Sequence, residues 1–183
     1  MSATQNLPIV GVSSCLLGER VRYDGREKRA PWVAEHLAEI VELVSLCPEV
    51  GAGMSIPRPP IQVVKPPGAA LRVLRVHDGH DVTDELQAFA TRSLDQLDAR
   101  GIDGYVFKAR SPSCGLRDTP HFASDGSDAA VFSMGMGLWA RAVTERWPAL
   151  PVIDEAGLSE PAARRRFLDA VMAHFEARQG ANA

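Results

Sequence analysis

Three times along this chain an apolar run ends in a cysteine, and these are its only cysteines. The first is Val10-Gly-Val-Ser-Ser-Cys15-Leu-Leu-Gly18, preceded by Pro8 and Ile9. The second is Leu43-Val-Ser-Leu-Cys47-Pro-Glu49, followed by the glycines of Val50-Gly51-Ala52-Gly53. The third is Tyr105-Val-Phe107-Lys-Ala-Arg-Ser111-Pro-Ser113-Cys114-Gly115. Short apolar runs closed by glycine or proline read as buried strands. Each strand therefore delivers a thiol to its carboxyl end. In open parallel α/β sheets, ligands bind in the crevice beyond those ends, at the switch in strand order. Three thiols carried there independently meet.

The segments between the thiols fit that frame. A polar loop, Glu19 to Gly25, ends in an Asp-Gly turn, and a helix begins near Pro31, with Trp32, Val33, Leu37, Ile40, Val41 and Val44 at helical spacing. The second strand spans about 43–48. Residues 54–70 carry five prolines and cannot be helical, but Ile61–Val64 and Leu71–Val76 read as two strands of a hairpin or sheet edge. Thr83-Asp84-Glu85 opens a helix that runs to Gly101, and Ile102–Lys108 is the third thiol-bearing strand. A loop over 118–128 is predicted to lead into a helix from Ala129 to Trp147. Within it, Gly135 and Gly137 mark close approach to another element or a ligand. A short strand at Leu150–Glu155, a last helix over about 159–178 and a frayed tail from Gly180 complete the chain. Strands alternating with helices imply a single Rossmann-like three-layer α/β domain, residues 1–183, with a mainly parallel sheet covered on both faces.

Composition enters mainly through what it excludes. With 45% apolar and 23% charged residues the chain has ordinary globular usage, which argues against global disorder. Net charge is −3, and Arg164-Arg165-Arg166 reads as a solvated helix face rather than a nucleic-acid patch. No apolar stretch approaches the ~18 residues of a membrane span, and no secretory signal opens the chain. A cytoplasmic location is expected, where thiols stay reduced unless they bind metal or do chemistry.

Four uses of the thiols compete at this point. They are buried as small hydrophobes, as free cysteines commonly are. They form a disulfide, which the compartment disfavours. One is a nucleophile with a histidine base, although His36, His77, His80, His121 and His174 all lie outside the cysteine motifs. Or all three bind metal. Intervals of 32 and 67 residues are far from a Cx₂C zinc motif. Three thiolates leave one position open for substrate, and soft sulfur ligands favour zinc, Cu(I) or an iron–sulfur cluster. Spacing does not choose among these.

Ser14-Cys15-Leu-Leu-Gly18, Arg22-Tyr23-Asp24-Gly25, Cys47-Pro48-Glu49 with Pro57-Arg58-Pro59, and Lys108-Ala-Arg-Ser111-Pro-Ser113-Cys114-Gly115 together resemble the thiouracil desulfurase (desulfidase) family, in the family's order and across about residues 8–155. The resemblance implies a [4Fe-4S] cluster on Cys15, Cys47 and Cys114 with one open iron. It implies an enzyme that hydrolyses the thiocarbonyl of thiouracil or a 4-thiouridine-like nucleotide to a carbonyl, releasing sulfide without net redox change. Glu49 is the expected base for water, with Ser111 and Ser113 hydrogen-bonding pyrimidine or departing sulfur; both serines also have the ordinary role of capping a turn beside proline. Ser13, Ser14, Arg22, Asp24, Arg58 and Lys108 are expected to bind substrate, Arg58 and Lys108 through an anionic group. Arg22 and Asp24 equally form a structural ion pair. Longer relatives that act on thiolated tRNA carry an additional domain this sequence lacks, which favours a small thiolated base or nucleotide as partner over tRNA. A reading of another class keeps the thiols and drops catalysis: a metal or redox-sensing module. Oligomeric state is not legible in the sequence.

Overall fold

The structure, a computed structural model, describes residues 6–66, 68–124 and 130–181. Strand β1 (Ile9–Ser13) ends in a 3₁₀ turn, Ser14–Leu17, which Gly18 closes with a left-handed φ of 96°. The helix expected from Pro31 is a π-helical turn, Trp32–His36, running into a 3₁₀ turn, Leu37–Glu39. Val33, Leu37 and Val41 are its buried residues, while Ile40 is exposed. Strand β2 (Glu42–Leu46) follows, then Cys47 and the short helix α1 (Pro48–Gly51) with proline in its first turn.

Strands β3 (Ile61–Val64) and β4 (Arg72–Arg75) pair antiparallel, as the proline-bounded runs predict. Helix α2 (Thr83–Arg100) stops at Gly101, in the left-handed conformation typical of a helix C-terminus. Then come β5 (Gly104–Phe107), β6 (Thr119–Phe122), β7 (Val131–Gly135), α3 (Leu138–Arg146), β8 (Val152–Asp154) and α4 (Pro161–Ala181).

Four strands make the sheet that positions the thiols. Its order is β2-β1-β5-β8 and every neighbouring pair is parallel. Alternate residues go to opposite faces. Tyr105 and Phe107 pack with α2 and α3 residues such as Leu86, Phe89, Trp139 and Val143. Val10, Val12 and Val106 pack with Val33 and Leu37 and with Phe167 and Val171 of α4. The predicted three layers are there, and Gly11 of β1 leaves room for the ring of its β5 partner Tyr105 on the sheet face: a Cβ at Gly11 would lie 2.3 Å from that ring.

A second four-stranded sheet, ordered β4-β3-β6-β7, mixes parallel and antiparallel pairs. It accounts for the main departures from expectation. Within the predicted 118–128 loop, Thr119–Phe122 is a strand, and the predicted helix from Ala129 begins as strand β7, with α3 covering only Leu138–Arg146. Val131-Phe-Ser-Met-Gly135 is rich in strand-forming residues, and Gly135 lies where a Cβ would come 2.4 Å from the His121 ring, so β6 and β7 pair closely. A continuous apolar run does not by its period distinguish a strand from a helix. Residues 125–129, including Asp128 and Ala129, lie outside the described residues, as do Pro67, Asn182 and Ala183. The tail expected to fray from Gly180 continues α4 as far as Ala181. Among the described residues no helix is long and apolar enough to cross a membrane.

Candidate functional site

Cys15 lies in the turn after β1, Cys47 immediately after β2, and Cys114 in the loop after β5, so all three stand at the carboxyl edge of the parallel sheet. They line one cavity of about 220 Å³ with Ser13, Ser14, Arg22, Tyr23, Glu49, Arg58, Lys108, Arg110 and Ser111. None is in a disulfide. Burial pushes the Cys15 thiol up to about 11 and raises Cys47 and Cys114 as well. The charge of one thiolate also disfavours the next, with Cys47 acting on Cys15 and both acting on Cys114. Among the described residues no three His, Cys, Asp or Glu side chains are placed to hold a single metal ion. Three soft, unbridged sulfurs lining one cavity are a donor set that suits an iron–sulfur group.

Three buried serine hydroxyls and two ion pairs surround the thiols. The Glu49 carboxylate, on α1 beside Cys47, accepts on both oxygens. Ser113 Oγ donates to Oε1 at 3.0 Å, and Arg58 donates to Oε2 from Nε at 2.8 Å and from Nη2 at 2.7 Å. Arg58 also donates to the carbonyls of Val21 (2.8 Å) and Ser55 (3.3 Å), so each of its three guanidinium nitrogens is bonded within the protein. Lys108 Nζ pairs with Glu155 and donates to the Ala109 carbonyl at 2.8 Å, while Glu155 Oε2 accepts the Ala109 N–H at 2.6 Å. Ser13 Oγ accepts the Lys108 N–H at 3.0 Å, and Ser14 Oγ bonds the Ser45 hydroxyl at 2.7 Å.

Ser111 and Ser113 divide their roles. Ser111 Oγ accepts the N–H groups of Ser113 (3.2 Å) and Cys114 (3.0 Å), which is the capping of a turn. Ser113 instead aims its hydroxyl at Glu49. The loop that carries them is fixed from behind by the start of α3: Leu138 N–H donates to the Pro112 carbonyl at 3.2 Å, and Trp139 N–H to the Ser113 carbonyl at 2.9 Å. Gly137 has no room for a side chain there, because a Cβ would lie 2.5 Å from the Ser113 carbonyl oxygen.

Ten of the twelve residues singled out by the sequence line this cavity, Ser113 bonds to Glu49 in its wall, and Asp24 reaches it only through Arg22. Asp24 is an exposed turn residue whose Oδ1 accepts the Arg26 N–H at 3.1 Å and lies 3.5 Å from Arg22 Nε. Sequence reasoning missed Glu155 and Arg110. Glu155 follows the last strand of the parallel sheet, so the carboxyl-edge rule that located the thiols applies to it equally.

Fold and site define a Rossmann-like α/β protein built around a pocket of three thiols and a buried carboxylate. The chain belongs to the 2-thiouracil desulfurase family, whose model matches residues 10–155. A solved structure of a protein named as the [4Fe-4S]-dependent thiouracil desulfidase TudS superposes with a TM-score of 0.65 at 33% identity, covering 88% of this chain and 99% of that one. A Bacillus subtilis (strain 168) protein, the uncharacterized YbbK, is 30% identical over 108 residues, 57% of this chain and 71% of its own length.

Proposed function

We propose that this protein is a [4Fe-4S]-dependent desulfidase that replaces the thiocarbonyl sulfur of a thiolated pyrimidine by oxygen, with release of sulfide and no net redox change. The observation that carries the reading is the meeting of three unbridged thiols with the Glu49–Ser113 pair at one cavity, in a chain of this family.

Cys15, Cys47 and Cys114 would hold the cluster. When bound, it would supply Lewis-acid chemistry that polarises a thiocarbonyl and makes its ring carbon electrophilic. The remaining chemistry belongs to the chain. Glu49 holds a water against that carbon and takes its proton at a carboxylate oxygen as the C–O bond forms. Arg58 keeps the carboxylate in register through its two bonds to Oε2. Ser113, bonded to Oε1, is placed to pass the proton onward as the C–S bond breaks. Water supplies the product oxygen, both its protons leave with the sulfur as H₂S, and no electron is gained or lost. The substrate is a small thiolated uracil, as free base or nucleotide, and the C–S cleavage is hydrolytic.

Anaerobic purification tests the cluster assignment. The expected preparation is brown and contains about four iron and four acid-labile sulfide per chain. Each of Cys15→Ser, Cys47→Ser and Cys114→Ser should lower both together. Bound zinc without sulfide would contradict the reading.

A further inference from the structure

The three thiols of the cavity are served by different neighbours. Cys47 faces the first turn of α1, where the N–H groups of Glu49 and Val50 bond to its sulfur. Cys15 faces the charges of Lys108 and Arg22. Cys114 does not draw on the backbone nearest to it. Its own N–H donates to Ser111 Oγ at 3.0 Å, and the next one, of Gly115, donates to the Ser111 carbonyl at 2.8 Å. The donor facing its sulfur is instead a side chain from a distant part of the sequence, Ser13.

Ser13 is the last residue of β1 and lies in the cavity wall, only 2% exposed. Its Oγ accepts the Lys108 N–H at 3.0 Å, which ties the end of β1 to the end of β5 and fixes where the hydroxyl sits. Accepting that bond leaves the hydroxyl proton unused. Among the described residues no oxygen or nitrogen accepts it, and the sulfur beside it is that of Cys114. A buried donor without a partner is costly, so a hydroxyl retained here needs an acceptor. Burial pushes the Cys114 thiol up, and the Ser13 hydroxyl opposes that rise.

We propose that Ser13 is a positioning residue for the cofactor rather than a substrate ligand: its hydroxyl donates to the Cys114 sulfur when that sulfur holds iron, and so raises the cluster's reduction potential and its retention. This rests on the cluster assignment above. A hydrogen bond to a ligating sulfur draws electron density away from the metal, which raises its potential and steadies the ligand's orientation. A metal that polarises a thiocarbonyl as a Lewis acid benefits from that direction of change. The substrate contact expected of Ser13 from the sequence gives way to this role.

The test is a redox titration of the anaerobic holoprotein and its Ser13 variants, with iron release to a chelator and resonance Raman spectra in H₂O and D₂O recorded alongside. Ser13→Ala should titrate at a more negative potential than the parent and give up iron about 10–100-fold more readily. Ser13→Thr keeps the hydroxyl and should stay close to the parent in both. In the parent, an Fe–S stretching band should move promptly on transfer to D₂O, because a hydroxyl proton exchanges faster than a bonded amide, and Ser13→Ala should lose that shift. Should Ser13→Ala hold no cluster, the prompt shift in the parent decides: its presence supports the proposal and its absence overturns it. An unchanged potential at full iron content in Ser13→Ala would overturn the proposal and leave the desulfidase reading standing. A parent that binds zinc without sulfide would overturn both.

Discussion

Ser113 Oγ donates a 3.0 Å hydrogen bond to Glu49 Oε1, joining the loop after β5 to the helix after β2 across the thiol cavity. Two of the three cysteines are thereby coupled to one acid–hydroxyl pair, since Cys114 follows Ser113 and Cys47 precedes Glu49 by two residues. If Glu49 takes the proton of the attacking water, Glu49→Gln should preserve fold and iron content, because the amide is nearly isosteric and no thiolate is lost. Turnover should fall by about 10²–10⁴, the usual contribution of a positioned base. A Glu49 that only caps α1 predicts near-normal turnover in the same variant. Steady-state kinetics at full iron loading separates the two.

Arg58 is expected to be a stability residue as well as an orienting one. Arg58 and Glu49 expose only 5% and 13% of their side chains, so Arg58→Ala would strand a largely buried carboxylate and two backbone carbonyls, of Val21 and Ser55. Breaking such a pair from one side costs about 3 kcal/mol or more. Urea unfolding of the metal-free protein measures it, and Arg58→Lys should recover only part, having charge but no planar fork. A loss below about 0.5 kcal/mol, the range of ordinary surface changes, would contradict the pairing as drawn.

The metal-free protein should lose stability at alkaline pH through its thiols. Cys15 ionises near 9.0 when unfolded and near 11 when folded, because burial disfavours the thiolate. Its contribution is therefore complete below pH 9 and lost as pH rises to 11, by about 2–3 kcal/mol. Cys47 and Cys114 shift in the same direction. Melting temperature recorded from pH 8 to 11 should fall, and should fall less steeply in Cys15→Ala; parallel slopes for the two proteins would count against it.

Much of this site was legible because its chemistry sits on period-2 strands whose ends are marked by glycine and proline. Cys15 and Cys47 follow short apolar runs directly, and the parallel order of β1, β2 and β5 then forces them to one edge. The residues that were misplaced lack such punctuation. Residues 131–140 are apolar or glycine except for Ser133, so a strand and a helix merged into one predicted helix, although Gly135 and Gly137 do mark close approach, to His121 and to the Ser113 carbonyl. Charge pairing was the least legible feature. Nothing local to Arg58 or Lys108 says that Glu49, nine residues away, and Glu155, 47 residues away, neutralise them.

Gly137 carries the consequence of that close approach. Its φ of −70° suits any residue, so the constraint is space alone. Gly137→Ala must push its Cβ out of a 2.5 Å contact with a backbone oxygen of the Ser113 loop, which is itself tied to α3. The expected cost is about 1–3 kcal/mol, with iron content reduced because Cys114 moves with the loop. Iron analysis of the reconstituted variant alongside its melting temperature checks this, and full iron at parental stability would refute the packing argument.

The central claim is tested most directly by mixing the anaerobically reconstituted protein with 2-thiouracil and following thiocarbonyl absorbance and free sulfide in the same sample. The account predicts that absorbance is lost, that one sulfide appears for each uracil formed, and that no reductant or oxidant is needed. An intact cluster that releases no sulfide from 2-thiouracil, 4-thiouridine or its 5′-monophosphate would contradict it.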